Sequence, residues 1–182
     1  MTILQIIIAT LAYFVALVAT IYFTRPSLRR VMGALAGGAV AGLFGMGAIV
    51  IGNISGVWQV PISWTPGFLT LFYLGLAVSV SPIYLVTWRI ARRFGWLGLA
   101  VFIGAVAIIG PPRDYMYAAM FPGWMVFAPG IAPVIADAAA YIGMVALGHA
   151  VMRLISGPAR EDRLSRGWTR FHASDNDPFI EK

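Results

Sequence analysis

The sequence predicts an all-α polytopic membrane protein, a bundle of five transmembrane helices with a short interfacial helix in its second outer loop. Three observations predict it. Of 182 residues, 60% are hydrophobic and only 11% are charged, whereas a soluble domain carries about 25% charged residues. Polar side chains are too few to cover a water-facing surface, so lipid must cover much of it. The apolar residues also fall in long continuous runs of about 20, the length a helix needs to cross the hydrocarbon core, and not in the alternating pattern of a β-barrel. Finally, the basic residues are confined to short clusters between those runs.

The first run covers 3–23 and is interrupted only by Gln5, threonines and tyrosines. The second, 31–51, contains no charge. The third, 68–88, carries Ser79, Ser81 and Thr87, and Pro82 is expected to kink it. The fourth, 94–109, is the shortest, and the fifth, 131–152, carries Asp137 and His149. Residues 1–155 therefore read as one transmembrane domain and 156–182 as a basic cytoplasmic tail, with Gly157-Pro158 as the break. The first eight residues contain no Lys or Arg, so the basic stretch of a signal peptide is missing.

Orientation follows from the excess of Arg and Lys on the cytoplasmic side. Arg25, Arg29 and Arg30 follow the first run, and Arg89, Arg92 and Arg93 follow the third. Arg153, Arg160, Arg163, Arg166, Arg170 and Lys182 follow the fifth. Only Arg113 falls on the other side. Five spans with this bias place the N-terminus outside and the C-terminus inside, as in a bacterial cytoplasmic (inner) membrane. The net charge of +6 and pI near 10.2 thus report topology rather than nucleic-acid binding. The tail suits anionic lipid headgroups, with 160–163 expected to form a short helix on them.

Both outer loops are aromatic. Residues 53–66 contain Trp58 and Trp64 with Pro61 and Pro66 and no charge; 110–130 contain Tyr115, Tyr117, Trp124 and Phe127. Rings with a polar tip favour the headgroup level, which predicts loops lying on the outer interface. Proline is tolerated in a first helical turn, so Pro111-Pro112 read as opening an interfacial helix over 113–121, ended by Pro122.

Four groups of residues are candidates for function. Gly33, Gly37, Gly38 and Gly42 place two four-residue pairs on one helix face, where another backbone can come close. That face either packs within the chain or docks another subunit, a lipid or a pigment. Asp137 is the most expensive residue, because a carboxylate at the membrane centre costs about 2.5–3.5 kcal/mol and must face protein or water. Its expected partner is Arg113, or the hydroxyl of Tyr115 or Tyr117, giving either a structural ion pair or a ligand for a proton or cationic substrate. Arg113 and Asp114 add two charges nearby, although adjacent residues on a helix need not meet. His149, near the inner end of the last span, fits a helix C-terminus; as a haem ligand it would need a partner histidine from another chain.

No Ser–His arrangement, metal-ligand spacing or internal repeat appears, and the absence of cysteine excludes thiolate sites and cysteine nucleophiles. The sequence names no cofactor, since sites for apolar cofactors resemble ordinary lipid-facing surface. Three functions remain. The first is an accessory or scaffolding subunit of a larger membrane complex, packing through the glycine face against other membrane subunits and contacting lipid, quinone or pigment. The second is a small transporter or channel component using Asp137 and the Arg113-Asp114 loop. A membrane enzyme acting on a lipid or isoprenoid has the fewest supporting residues.

Overall fold

The structure, a computed structural model, describes residues 2–158. The tail beyond them, with the short helix expected at 160–163, lies outside the described residues. The order of elements is α1 (Ile3–Thr24), α2 (Leu28–Ser55), β1 (Trp58–Gln59), α3 (Pro66–Met120), β2 (Val126–Phe127) and α4 (Ala132–Ser156). All four helices are long and apolar enough to cross a membrane.

Local chemistry sets the helix ends. Thr2 and Gln5 form a capping box at the start of α1: the Gln5 amide donates to Thr2 Oγ1 at 3.3 Å, and the Thr2 amide donates to Gln5 Oε1 at 2.8 Å. At its other end Arg25 takes a left-handed conformation (φ 44°) and Pro26 follows, which cannot continue the helix. Gly56 (φ 74°) ends α2. Pro66 occupies the first turn of α3, where its missing N–H has no partner to lose.

At 55 residues α3 is the exception. A straight helix of that length would extend about 80 Å at 1.5 Å per residue, far beyond the roughly 30 Å hydrocarbon core. It does not run straight. Gly95 leaves helical geometry at φ 67°, ψ −156°, and two arms, 66–94 and 96–120, fold back on each other there. Tyr84 in the first arm donates to the Met144 carbonyl, while Gly110 in the second abuts the Tyr141 ring. Positions far apart in α3 thus meet neighbouring turns of α4. The conformation of Gly95 belongs to a region that only glycine enters readily. Gly95→Ala is therefore expected to destabilise the protein by about 1–3 kcal/mol, read as a lower midpoint in detergent-mediated unfolding.

The interfacial helix expected over 113–121 is not a separate element. Those residues up to Met120 continue α3, with Pro111 and Pro112 inside it. Two prolines remove amide donors from the carbonyls one turn back, a loss that neighbouring helices can offset inside a bundle. Here buried Gly110 and Pro111 hold the helix against α4.

The core lies between α2, the first arm of α3, and α4. It contains Ala34, Ala41, Val80, Tyr84, Leu85, Trp88 and Met152, with Leu17 from α1. The glycine face of α2 runs along this seam. A Cβ at Gly33 would meet Met152 and Ser156, at Gly37 the Gly148 backbone, and at Gly38 and Gly42 the backbone of Ala77. These contacts make α2 antiparallel to both neighbours. The first arm of α3 runs parallel to α4, with Tyr84 at Met144 and Thr87 at His149.

The same pairings gather the connections at two ends. At one end Arg29 Nε donates to the Ile155 carbonyl at 3.0 Å, and Arg30 Nη1 and Nη2 donate to the carbonyls of Gly157 and Pro158, each at 2.7 Å. Arg89 donates to the Thr24 carbonyl, and the Arg30 and Arg92 guanidiniums stand over Trp88. At the other end the two aromatic loops pair as an antiparallel ribbon, Trp58 opposite Phe127 and Gln59 opposite Val126. Asn53 braces it by donating to the Val60 carbonyl at 3.0 Å and accepting from the Val60 amide at 2.8 Å. The buried Trp58 indole lies against Gly52, where any side chain would collide with it.

Candidate functional site

Most of the charged candidates converge where the second arm of α3 meets the first turns of α4. Arg113 and Asp114 do meet. Arg113 Nε donates to Asp114 Oδ1 at 3.0 Å and its Nη2 donates to the same oxygen at 2.8 Å. Adjacent Cβ atoms diverge on a helix, but the long arginine stem lets its planar fork turn back to the neighbour. Tyr141 closes a triangle: its hydroxyl donates to Asp114 Oδ2 at 2.7 Å and accepts from Arg113 Nη2. The guanidinium also stands over the rings of Tyr117 and Tyr141, 5.8 and 5.4 Å from their centroids. Tyr13 of α1 lies within electrostatic reach.

This network leaves Asp137 aside. Its side chain is 6% exposed, and Oδ2 has no hydrogen-bond partner among the described residues. The ion pair with Arg113 expected from the sequence does not form, because Arg113 is already held by Asp114 and Tyr141. The two still lie within electrostatic reach of each other. The Tyr115 hydroxyl, the other expected partner, is also buried without a hydrogen bond; its ring stacks flat on Phe127 of the ribbon, centroids 4.0 Å apart and planes at 5°. Tyr117 is turned to Arg113 instead.

Depth is the second surprise. Arg113 is seven residues before the end of α3 and Asp137 five residues after the start of α4, about 10 and 8 Å inside the helix ends at 1.5 Å per residue. The charges belong to the helical layer and not to an outer loop. The Arg113 side chain is nevertheless 46% exposed and that of Asp114 21%, on a flank where Ile108, Ile109, Met116 and Met120 are also exposed.

His149 lies apart, nearer the basic end, buried on Thr87. The Thr87 hydroxyl donates its single proton to the Tyr84 carbonyl at 3.0 Å. It therefore accepts from His149 Nδ1 at 2.8 Å, which fixes the ring orientation. Among the described residues no group of three or more His, Cys, Asp or Glu is placed to hold a metal. Gly33, Gly37, Gly38 and Gly42 face the internal seam, remote from a docking surface.

Sequence reasoning missed the role of Tyr141. The signal was its place one turn after Asp137 on the same face, which marks it as facing the seam but not as the bridge between Arg113 and Asp114. Comparison with protein families, curated proteins and solved structures finds no match to this chain.

Proposed function

We propose that this protein spans a bacterial cytoplasmic membrane five times, N-terminus outside and C-terminal segment inside, as an accessory subunit of a larger membrane complex. Segregation of charge supports the topology. Arg25, Arg29, Arg30, Arg89, Arg92, Arg93 and Arg153 lie at the connection end of the bundle, Arg113 lies in its other half, and the two arms of α3 supply the third and fourth spans.

One observation carries the subunit reading: Arg113 is half-exposed on an apolar flank, about 10 Å inside the end of its helix. Lipid solvates such a group poorly, so intramembrane charges face protein or a water-filled cleft. A second chain packed over the Arg113–Asp114–Tyr141 triangle would shield it. On this reading the partner packs on the second arm of α3, while the glycine face is taken up by the internal seam. α1 leaves Leu4, Ile8, Leu11 and Val15 exposed, which offers a further apolar flank for lipid, quinone or pigment.

The test is purification from the native membrane in a mild detergent, with subunit composition and an absorption spectrum. The wild type is expected in a stoichiometric complex. Arg113→Leu, which removes the charge that a partner would shield, is expected to lose the partner while its far-ultraviolet dichroism stays helical. A wild type that purifies alone, or a variant that stays assembled, contradicts the proposal.

A second reading rests on Asp137: a buried carboxylate with one oxygen unpartnered suits a proton or small cation bound within a transporter or channel component.

A further inference from the structure

The reversal of α3 at Gly95 creates a feature that neither reading above uses. Between the two arms lies an open groove of about 520 Å³, lined by Ile90 and Phe94 on one side and Leu97, Val101 and Phe102 on the other, with Gly98 and Ala105 along it. Its walls are almost wholly apolar, and its volume lies in the range of ordinary ligand sites, about 300–1,000 Å³. From Gly98 to Ala105 it follows the second arm for about 10 Å. Gly98 lets the two arms meet at the floor of the groove, where a Cβ would run into Phe94 Cβ, and the large side chains stand at its sides.

The mouth of the groove is basic. Arg93 lies in the same turn, its guanidinium 5.2 Å from the centroid of the groove-lining Phe94 ring. Arg92 is exposed beside it, its guanidinium 6.0 Å from the centroid of the Trp88 ring. No carboxylate among the described residues pairs with either arginine; the acidic residues there are Asp114 and Asp137, both in the opposite half of the bundle. An apolar channel that opens under two exposed guanidiniums presents two requirements to one occupant, an anionic head and a hydrocarbon chain.

We propose that this groove is a binding site for one anionic phospholipid of the adjacent leaflet, its phosphate held by Arg92 and Arg93 and an acyl chain lying between Phe94 and Val101 toward Ala105. The guanidinium fork matches phosphate oxygens two at a time, which a zwitterionic headgroup with its own ammonium satisfies less well. The site is independent of the subunit reading, because it lies in the turn end of α3, away from Arg113.

Native mass spectrometry of delipidated protein in a non-ionic detergent, titrated with phosphatidylglycerol or phosphatidylcholine, tests this. The wild type is expected to retain one phosphatidylglycerol at lipid concentrations where phosphatidylcholine is lost. Arg92→Gln with Arg93→Gln should weaken that retention about thirtyfold, from the contribution of each arginine at an anionic surface. Ala105→Phe, which fills the groove and leaves the charges in place, should also abolish it, and Arg153→Gln, elsewhere at the basic end, should not. Inorganic phosphate in place of lipid should bind too weakly to be retained, because it lacks the chain. Equal retention of the two lipids overturns the proposal, as does retention unaffected by Ala105→Phe. Equal loss in Arg153→Gln also overturns it, since that marks a diffuse basic field and not a site.

Discussion

Gly38→Leu is expected to stop the bundle from closing while leaving its helices formed. A Cβ at Gly38 would stand 2.5 Å from the Ala77 carbonyl oxygen and against Ser81 Oγ, and one at Gly37 would run into the Gly148 backbone. Backbone cannot rotate aside as a side chain can, so the helices must separate. Overpacking a core typically costs about 1–3 kcal/mol, and a leucine wedged between two backbones belongs at or beyond the top of that range. In a bilayer the loss is not offset elsewhere, because helix association there relies on close packing and not on hydrophobic transfer. Gly47→Leu is the control: it lies on the same helix with nothing within 4 Å of its Cβ, and it should be nearly neutral. Far-ultraviolet dichroism should stay the same in both, while the unfolding midpoint in detergent falls for Gly38→Leu alone. Equal behaviour of the two variants would mean that the seam is not where the helices meet. A Gly38→Leu protein that remains a folded monomer but loses a partner would make the face an intermolecular one.

The class of fold was legible because lipid imposes a coarse code. Long apolar runs and the scarcity of charge suffice to predict helices that cross a membrane, and the four-residue glycine spacing marks the α2 face that packs closely. Two features resisted. Pro111-Pro112 look like a helix start because proline suits a first turn, yet α3 passes through them. What holds it there is Gly110 and Pro111 against Tyr141 and α4, a contact distant in sequence. That error moved Arg113 and Asp114 from α3 to a separate interfacial helix. The ribbon of Trp58-Gln59 with Val126-Phe127 is two residues long on each side, too short for alternation to show. The site was legible in its residues but not in its pairing. Asp137 and Arg113 are the obvious opposite charges, but Asp114 is adjacent to Arg113 and Tyr141 completes the geometry, so the nearer carboxylate takes the guanidinium.

Asp137→Leu is expected to make the protein more stable. Asp114 and Asp137 are both carboxylates in the same region, but they stand in opposite positions. Asp114 accepts two bonds from Arg113 and one from Tyr141, so Asp114→Leu strands a half-exposed guanidinium and a hydroxyl and should cost about 1–3 kcal/mol. Asp137 has an oxygen that is buried and unpartnered, a condition that costs about 1–3 kcal/mol. Replacing it with a side chain of similar reach removes that penalty and leaves no described partner stranded. The expected gain is of the same size, seen as a higher midpoint when both variants are unfolded reversibly in mixed detergent micelles. A loss of stability matching that of Asp114→Leu would make Asp137 a structural member of the network, and the cation reading would lose its basis. A gain of stability raises the opposite question, why so expensive a group is present. Residues that lower stability and persist are characteristic of functional sites, where activity and stability trade against each other. Proteoliposome flux answers it: a stabilised Asp137→Leu that no longer moves protons or small cations, where the wild type does, assigns the carboxylate to transport. Equal flux in the two proteins removes transport through Asp137 and leaves the partner at Arg113 as the function to pursue.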